Sequence, residues 1–205
     1  MKNIRIQELW RKRNRFLPFL YRQSRNFERW IAHTTGFCIN SNERRLLALH
    51  DQFLGERCFI IGNGPSLTWA DLDLVATENT FASNKIYLSY PYTDFRPTFY
   101  SVIDYFVFQN NLEEILQLNG LKFYPDYFEE MASEDEEVVF FRSVGENLGG
   151  FGMDPVLGRN FFGGYTVVFT QIQLAWYLGF REIYLIGMDH TWNLPENPKI
   201  EKEGY

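Results

Sequence analysis

Five short apolar runs constrain this chain most, because none shows the alternation of a strand with one wet face and four lead into glycine, amide or ionisable residues. They are Arg57–Ile61 running into Gly62-Asn63-Gly64-Pro65, Thr80–Ser83 leading to Asn84, Thr98–Ile103 leading to Asp104, Val138–Phe141 after an acidic run, and Glu182–Met188 ending in Asp189-His190. Helical patterns at Trp69–Ala76, Phe108–Leu118 and Thr166–Leu178 lie between them, the last closed by Gly179 where a left-handed C-cap is expected. Apolar strands separated by helices predict an α/β, Rossmann-like fold, a mostly parallel sheet with helices on both faces.

Charge divides the chain. The first fifty residues hold eleven Lys or Arg against three acids, whereas the rest holds nine bases against 23 acids. The expected organisation is a basic amphipathic helical extension over 1–50 and an acidic Rossmann-like domain over 51–205. Apolar residues from Ile6 to Ile31 recur at helical steps, interrupted at Pro18. A basic, Trp-bearing arm suits an anionic membrane surface, and it equally suits the acidic body or a second copy of the chain, which would make a homo-oligomer. Nucleic acid is not an expected partner, because the acidic body repels phosphate.

With 205 residues, 45% of them hydrophobic, the chain has material for one sizeable core. Two cysteines, Cys38 and Cys58, support neither a disulfide scaffold nor a zinc site. The basic, polar start is unlike a signal peptide, and no run of about 20 apolar residues exists. The expected location is the cytoplasm, peripheral at the inner membrane face.

Ligands of doubly wound sheets bind beyond the carboxyl ends of the strands. That rule selects Gly62, Asn63, Gly64, Pro65 and Ser66, then Asn84, Asp104, Asp189 and His190. Glycines allow close backbone approach, and successive N–H groups with a following helix form an anion nest, so a nucleotide phosphate is the natural occupant of the GNGPSL turn. The turn is neither a Walker A loop nor the GxGxxG fingerprint, since Leu67 stands where the third glycine belongs. A plain strand-to-helix turn capped by Ser66 is the other reading, and Asn84, Asp104 and Asp189 have matching readings as turn or cap residues. His190 suits a base or a structural hydrogen-bonder, and His33 and His50 suit structural roles. The acidic stretch of Asp126, Glu129, Glu130 and Glu134 to Glu137 reads as a solvated face.

GNGPSL after an apolar strand, ASNKIY some twenty residues on, PTFYSVID and LGFREIYLIGMDH together resemble the MptE-like family, named after an archaeal 6-hydroxymethylpterin diphosphokinase. A more distant similarity extends to flagellin motility accessory factors and Campylobacter-type sialyltransferases. The resemblance covers about Gly55 to Trp192 and implies a nucleotide or nucleotide-activated donor with its phosphates at GNGPS. By matched position it implies that Asn63 and Ser66 contact phosphate or ribose, that Asn84 lies near the phosphate, and that Asp189 stands at the nucleotide's other side. Thr191 occupies the place of a phosphate-binding tyrosine of the sialyltransferases. Their general-base His lies well beyond the GxD block and has no counterpart before Tyr205, which implies either a domain shortened at its C-terminal end or no catalysis by that route.

Two active readings follow. In a nucleotide-sugar-dependent glycosyltransferase, with CMP-sugar or another NDP-sugar as donor and a glycan or small molecule as acceptor, Asp189 or His190 is the available base and no cofactor is required. In a 6-hydroxymethyl-dihydropterin diphosphokinase, ATP is the donor and Asp104 with Asp189 would hold Mg²⁺. The transferase of surface-glycan or flagellar glycosylation is the favoured expectation, and a non-catalytic nucleotide-binding protein is the third.

Overall fold

Alternate side chains of each strand point to opposite faces, and this splits the interior into two apolar layers on either side of one sheet. The structure is a computed structural model and describes residues 31, 34–35, 41–132, 137–143 and 166–189. Apart from residues 31 and 34–35, the basic arm before residue 41 lies outside the described residues, as do Glu134 to Glu136, His190 and Thr191 and the expectations for them.

Six strands form the sheet: β1 Arg57–Ile61, β2 Asn79–Ser83, β3 Phe99–Ser101, β4 Leu121–Pro125, β5 Val138–Phe141 and β6 Glu182–Ile186. Their order is β5-β4-β3-β2-β1-β6, and every pairing is parallel. The helices are α1 Ser41–Leu49, α2 Trp69–Leu74, α3 Tyr105–Asn110, α4 Leu112–Leu116, α5 Glu129–Ala132 and α6 Val167–Leu178. Ile61, Ala82, Tyr100, Tyr124 and Phe140 pack with Leu72 of α2, Phe108 of α3 and Ile115 of α4. Cys58, Ile60, Phe81, Phe99, Phe123 and Phe141 pack with Leu46 of α1 and Leu174 and Leu178 of α6. The fold is the Rossmann-like α/β sheet with helices on both faces.

Strand β4 is an addition to the five expected strands. Lys122 breaks its apolar run, yet the side chain is only 2% exposed and its Nζ lies 3.3 Å from Glu137 Oε2. A buried lysine needs such a partner, and the partner sits at the start of the neighbouring strand. The helix expected over Phe108–Leu118 is instead two short helices. Asp104 caps α3 by accepting from the Val107 N–H at 2.8 Å, and Asn111, with φ −130°, breaks the run before α4.

Of the first fifty residues, Ser41–Leu49 packs on the sheet as α1. Its Asn42 side chain meets β5 as a strand would, donating to Phe140 O at 2.8 Å and accepting from Phe140 N at 2.7 Å, while Arg45 donates to Val138 O at 2.8 Å. These bonds cover the β5 edge, where unpaired backbone would otherwise be left. Helix α6 ends at Gly179, whose φ of 107° is the expected left-handed cap. Among the described residues no helix is long and apolar enough to cross a membrane.

Candidate functional site

The chain adds strands outward from β1 to β5 and then returns to place β6 on β1's other side. The direction of strand addition therefore reverses between β1 and β6, which makes the region beyond their carboxyl ends the topological switch point of the sheet. Two loops meet there, Gly62–Ser66 after β1 and Gly187–Asp189 after β6.

They are joined as a seam. Gly62 N donates to Ile186 O at 2.8 Å and Gly64 N to Gly187 O at 3.0 Å, extending the β1–β6 ladder past the strands. Ser66 N then donates to Asp189 Oδ2 at 2.8 Å, and the Ser66 hydroxyl donates to Asp189 Oδ1. Both glycines are dictated by this approach rather than by backbone angle. A Cβ on Gly62 would lie closer than 3.0 Å to the Gly187 carbonyl oxygen, and one on Gly64 closer than 3.0 Å to the Asp189 carboxylate. Gly187, with φ 66°, offers the receiving carbonyl. Sequence reasoning gave Gly187 no role, although its place between β6 and Asp189 was the available signal.

The loop donors expected to cradle an anion thus have protein acceptors at Gly62, Gly64 and Ser66. Helix α2 is only six residues long, and its start is closed by a capping box in which Thr68 and Asp71 satisfy each other's backbone N–H groups. Burial is graded along the turn, with Gly62 buried and Pro65 and Ser66 exposed.

Asn63 crosses to the neighbouring strand, its Nδ2 donating to Ser83 O at 3.3 Å. A carbonyl can only accept, so this bond fixes which way the amide points. The remaining polar atom, Oδ1, is buried without a hydrogen-bond partner. An acceptor in that position suits a hydroxyl or amino group and repels a phosphate. Next along the sheet, Asn84 holds φ 51°, the left-handed region, and its carbonyl accepts from the Tyr100 hydroxyl at 2.6 Å. Burial pushes the Tyr100 phenol well above its ordinary pKa, so it remains a donor at neutral pH. Gln171 of α6, fully buried, supports the same strand end by donating to Ala82 O at 2.8 Å. Sequence reasoning gave Tyr100 and Gln171 no site role; the available signal was the set of Thr170, Gln171 and Gln173 in an otherwise apolar helix.

Asp104 lies beyond β3, exposed, with Oδ1 committed to the α3 cap. Asp104 and Asp189 are each engaged by a protein donor, and among the described residues no three His, Cys, Asp or Glu side chains stand together as a metal-binding group.

A family model described as 6-hydroxymethylpterin diphosphokinase MptE-like matches residues 38–194, a span that includes α1 and all six strands. Among solved structures the chain is similar to the MAf glycosyltransferase from Magnetospirillum magneticum AMB-1, at 19% identity and a TM-score of 0.47, over 75% of this chain and 28% of that one. This chain therefore corresponds to little more than a quarter of that protein's length. No curated protein matches it. With a family match running from α1 through the seam that joins Gly62–Ser66 to Asp189, the chain belongs to the MptE-like family.

Proposed function

We propose that this protein is a nucleotide-dependent transferase of the glycosyltransferase type, which takes a nucleotide-activated sugar in the crevice beyond β1 and β6. The observation that carries this reading is the seam at the switch point, where doubly wound sheets hold their ligands. Around it stand the Ser66 donors and the Asn63 acceptor, a combination that suits an anionic group next to a hydroxyl-bearing one, as in a ribose 5′-phosphate. In the reaction, a hydroxyl of a glycan or small-molecule acceptor attacks the anomeric carbon, a base removes its proton, and the nucleotide phosphate departs with the bonding pair. Asp189 is the described carboxylate at the seam. His190 is the second candidate base, and Thr191 a candidate phosphate contact. The basic extension would bring the protein to anionic membrane surfaces, where surface-glycan chemistry takes place.

A second reading is supported by the family description itself, a pterin diphosphokinase consuming ATP with Mg²⁺. Calorimetric titration with CMP, CDP, UDP, GDP and ATP, each with and without Mg²⁺, separates the two. Metal-independent binding of a pyrimidine nucleotide that is lost in Asn63→Ala supports the transferase. Mg²⁺-dependent ATP binding supports the diphosphokinase, and silence from all five ligands overturns both.

A further inference from the structure

We propose that the Asp189 carboxylate occupies, in the free protein, the position a ligand phosphate takes, so that ligand binding and release of Asp189 are a single exchange. The inference rests on the reading of the crevice as a site for a phosphorylated ligand, and it adds how that site is kept closed. Both carboxylate oxygens are held by one residue 123 positions away, Oδ2 by the Ser66 N–H at 2.8 Å and Oδ1 by the Ser66 hydroxyl. A main-chain N–H beside a hydroxyl is a donor pair that takes two oxygens of a phosphate as readily as two of a carboxylate.

The seam contains three loop N–H donors, and they differ in what would free them. Gly62 and Gly64 bond main-chain carbonyls of the β6 loop, so breaking those bonds means parting β1 from β6. Ser66 bonds a side chain, which leaves by rotation about its own torsions while the strands stay paired. The carboxylate packs directly against Gly64, where a single Cβ would run into it. One residue away, Asn63 Oδ1 is buried with no partner and calls for a donor. The ligand class that satisfies both is a phosphate ester of a hydroxyl-bearing group. Asp189 would then leave Ser66 only once the phosphate has arrived.

The experiment compares wild type and Asp189→Asn in calorimetric titrations with inorganic pyrophosphate, CMP and, as the phosphate-free control, cytidine. A clamp closed about nine-tenths of the time lowers apparent affinity about tenfold. The asparagine variant, with a weaker clamp and no negative charge, should therefore bind pyrophosphate and CMP about tenfold more tightly, with cytidine unchanged. In wild type, the Asp189 carboxyl carbon and the Ser66 amide should both shift in NMR spectra as pyrophosphate saturates the protein, a readout that holds even if the variant fails to fold. Unchanged or weaker binding by a folded variant, an unmoved Asp189 resonance at saturation, or silence toward pyrophosphate in both proteins overturns the exchange. A gain for pyrophosphate with no nucleotide bound leaves the exchange standing and removes the nucleotide reading alone.

Discussion

Replacing Gly62 by alanine tests the seam most directly, because the glycine's φ is not positive and the whole cost comes from what the new Cβ meets. That atom would lie closer than 3.0 Å to Gly187 O, 2.8 Å from Met188 Sδ and 2.9 Å from Gly187 C. The methionine can turn aside, but the two backbone atoms cannot. Relief requires the β6 loop to retreat, which stretches the Gly62 N to Ile186 O and Gly64 N to Gly187 O bonds of 2.8 and 3.0 Å. Overpacking costs about 1–3 kcal/mol and each weakened bond about 1 kcal/mol, against about 0.5–1 kcal/mol gained because alanine narrows the unfolded ensemble. The expected net loss is about 2–4 kcal/mol, a large share of the roughly 5–15 kcal/mol of a domain. Urea unfolding followed by circular dichroism reads it as a lower midpoint at unchanged slope. Gly55→Ala is the control, since φ is 86° there and nothing lies within 4 Å of the added atom, so its cost is conformational alone, about 1–2 kcal/mol. A Gly62→Ala loss no greater than that of Gly55→Ala would refute the argument that the glycine is required by loop contact.

Further outcomes follow from other contacts. Asn42→Ala removes two bonds to the Phe140 backbone, 2.8 and 2.7 Å long, and should lower stability by about 2–3 kcal/mol in the same unfolding assay. Burial pushes the Cys58 thiol up to about 12, so iodoacetamide at pH 8 should leave it unmodified in the folded protein and alkylate it in urea, as peptide mass spectrometry would read. The same shift has a sign in stability: a thiol kept protonated in the fold costs nothing while the unfolded thiol is protonated too. Its effect therefore begins as pH rises past the ordinary value of 9.0, and stability should then fall by up to about 1.4 kcal/mol per pH unit from this group, a contribution that a Cys58→Ala control lacks.

The strands that could be read directly were those with uninterrupted apolar runs. Val138–Phe141, apolar throughout, and Arg57–Ile61, apolar after its exposed arginine, have the expected bounds, because a strand buried on both faces is written in apolar residues. Leu121–Pro125 escaped notice because a lysine that pairs across the sheet is indistinguishable, in sequence, from one in water. The expected site residues Gly62–Ser66, Asn84, Asp104 and Asp189 all stand at the carboxyl ends of strands, but they are not equivalent. Asp104 is bound up in capping a helix, whereas Asp189 reaches across the seam to Ser66.

Local chemistry, then, is what the amino-acid sequence determined by itself: apolar strands, a glycine-capped α6, a turn of small residues after β1, and polar residues past the strand ends. Each depends on neighbours a few positions apart. Only the tertiary structure decided that β6 returns to lie beside β1, that Gly62 and Gly64 are glycines because another loop touches them, and that Ser66 and Asp189 share hydrogen bonds across 123 positions. Strand order is a matter of packing between distant segments, and a donor near an anion-binding turn does not reveal in sequence which acceptor has already taken it.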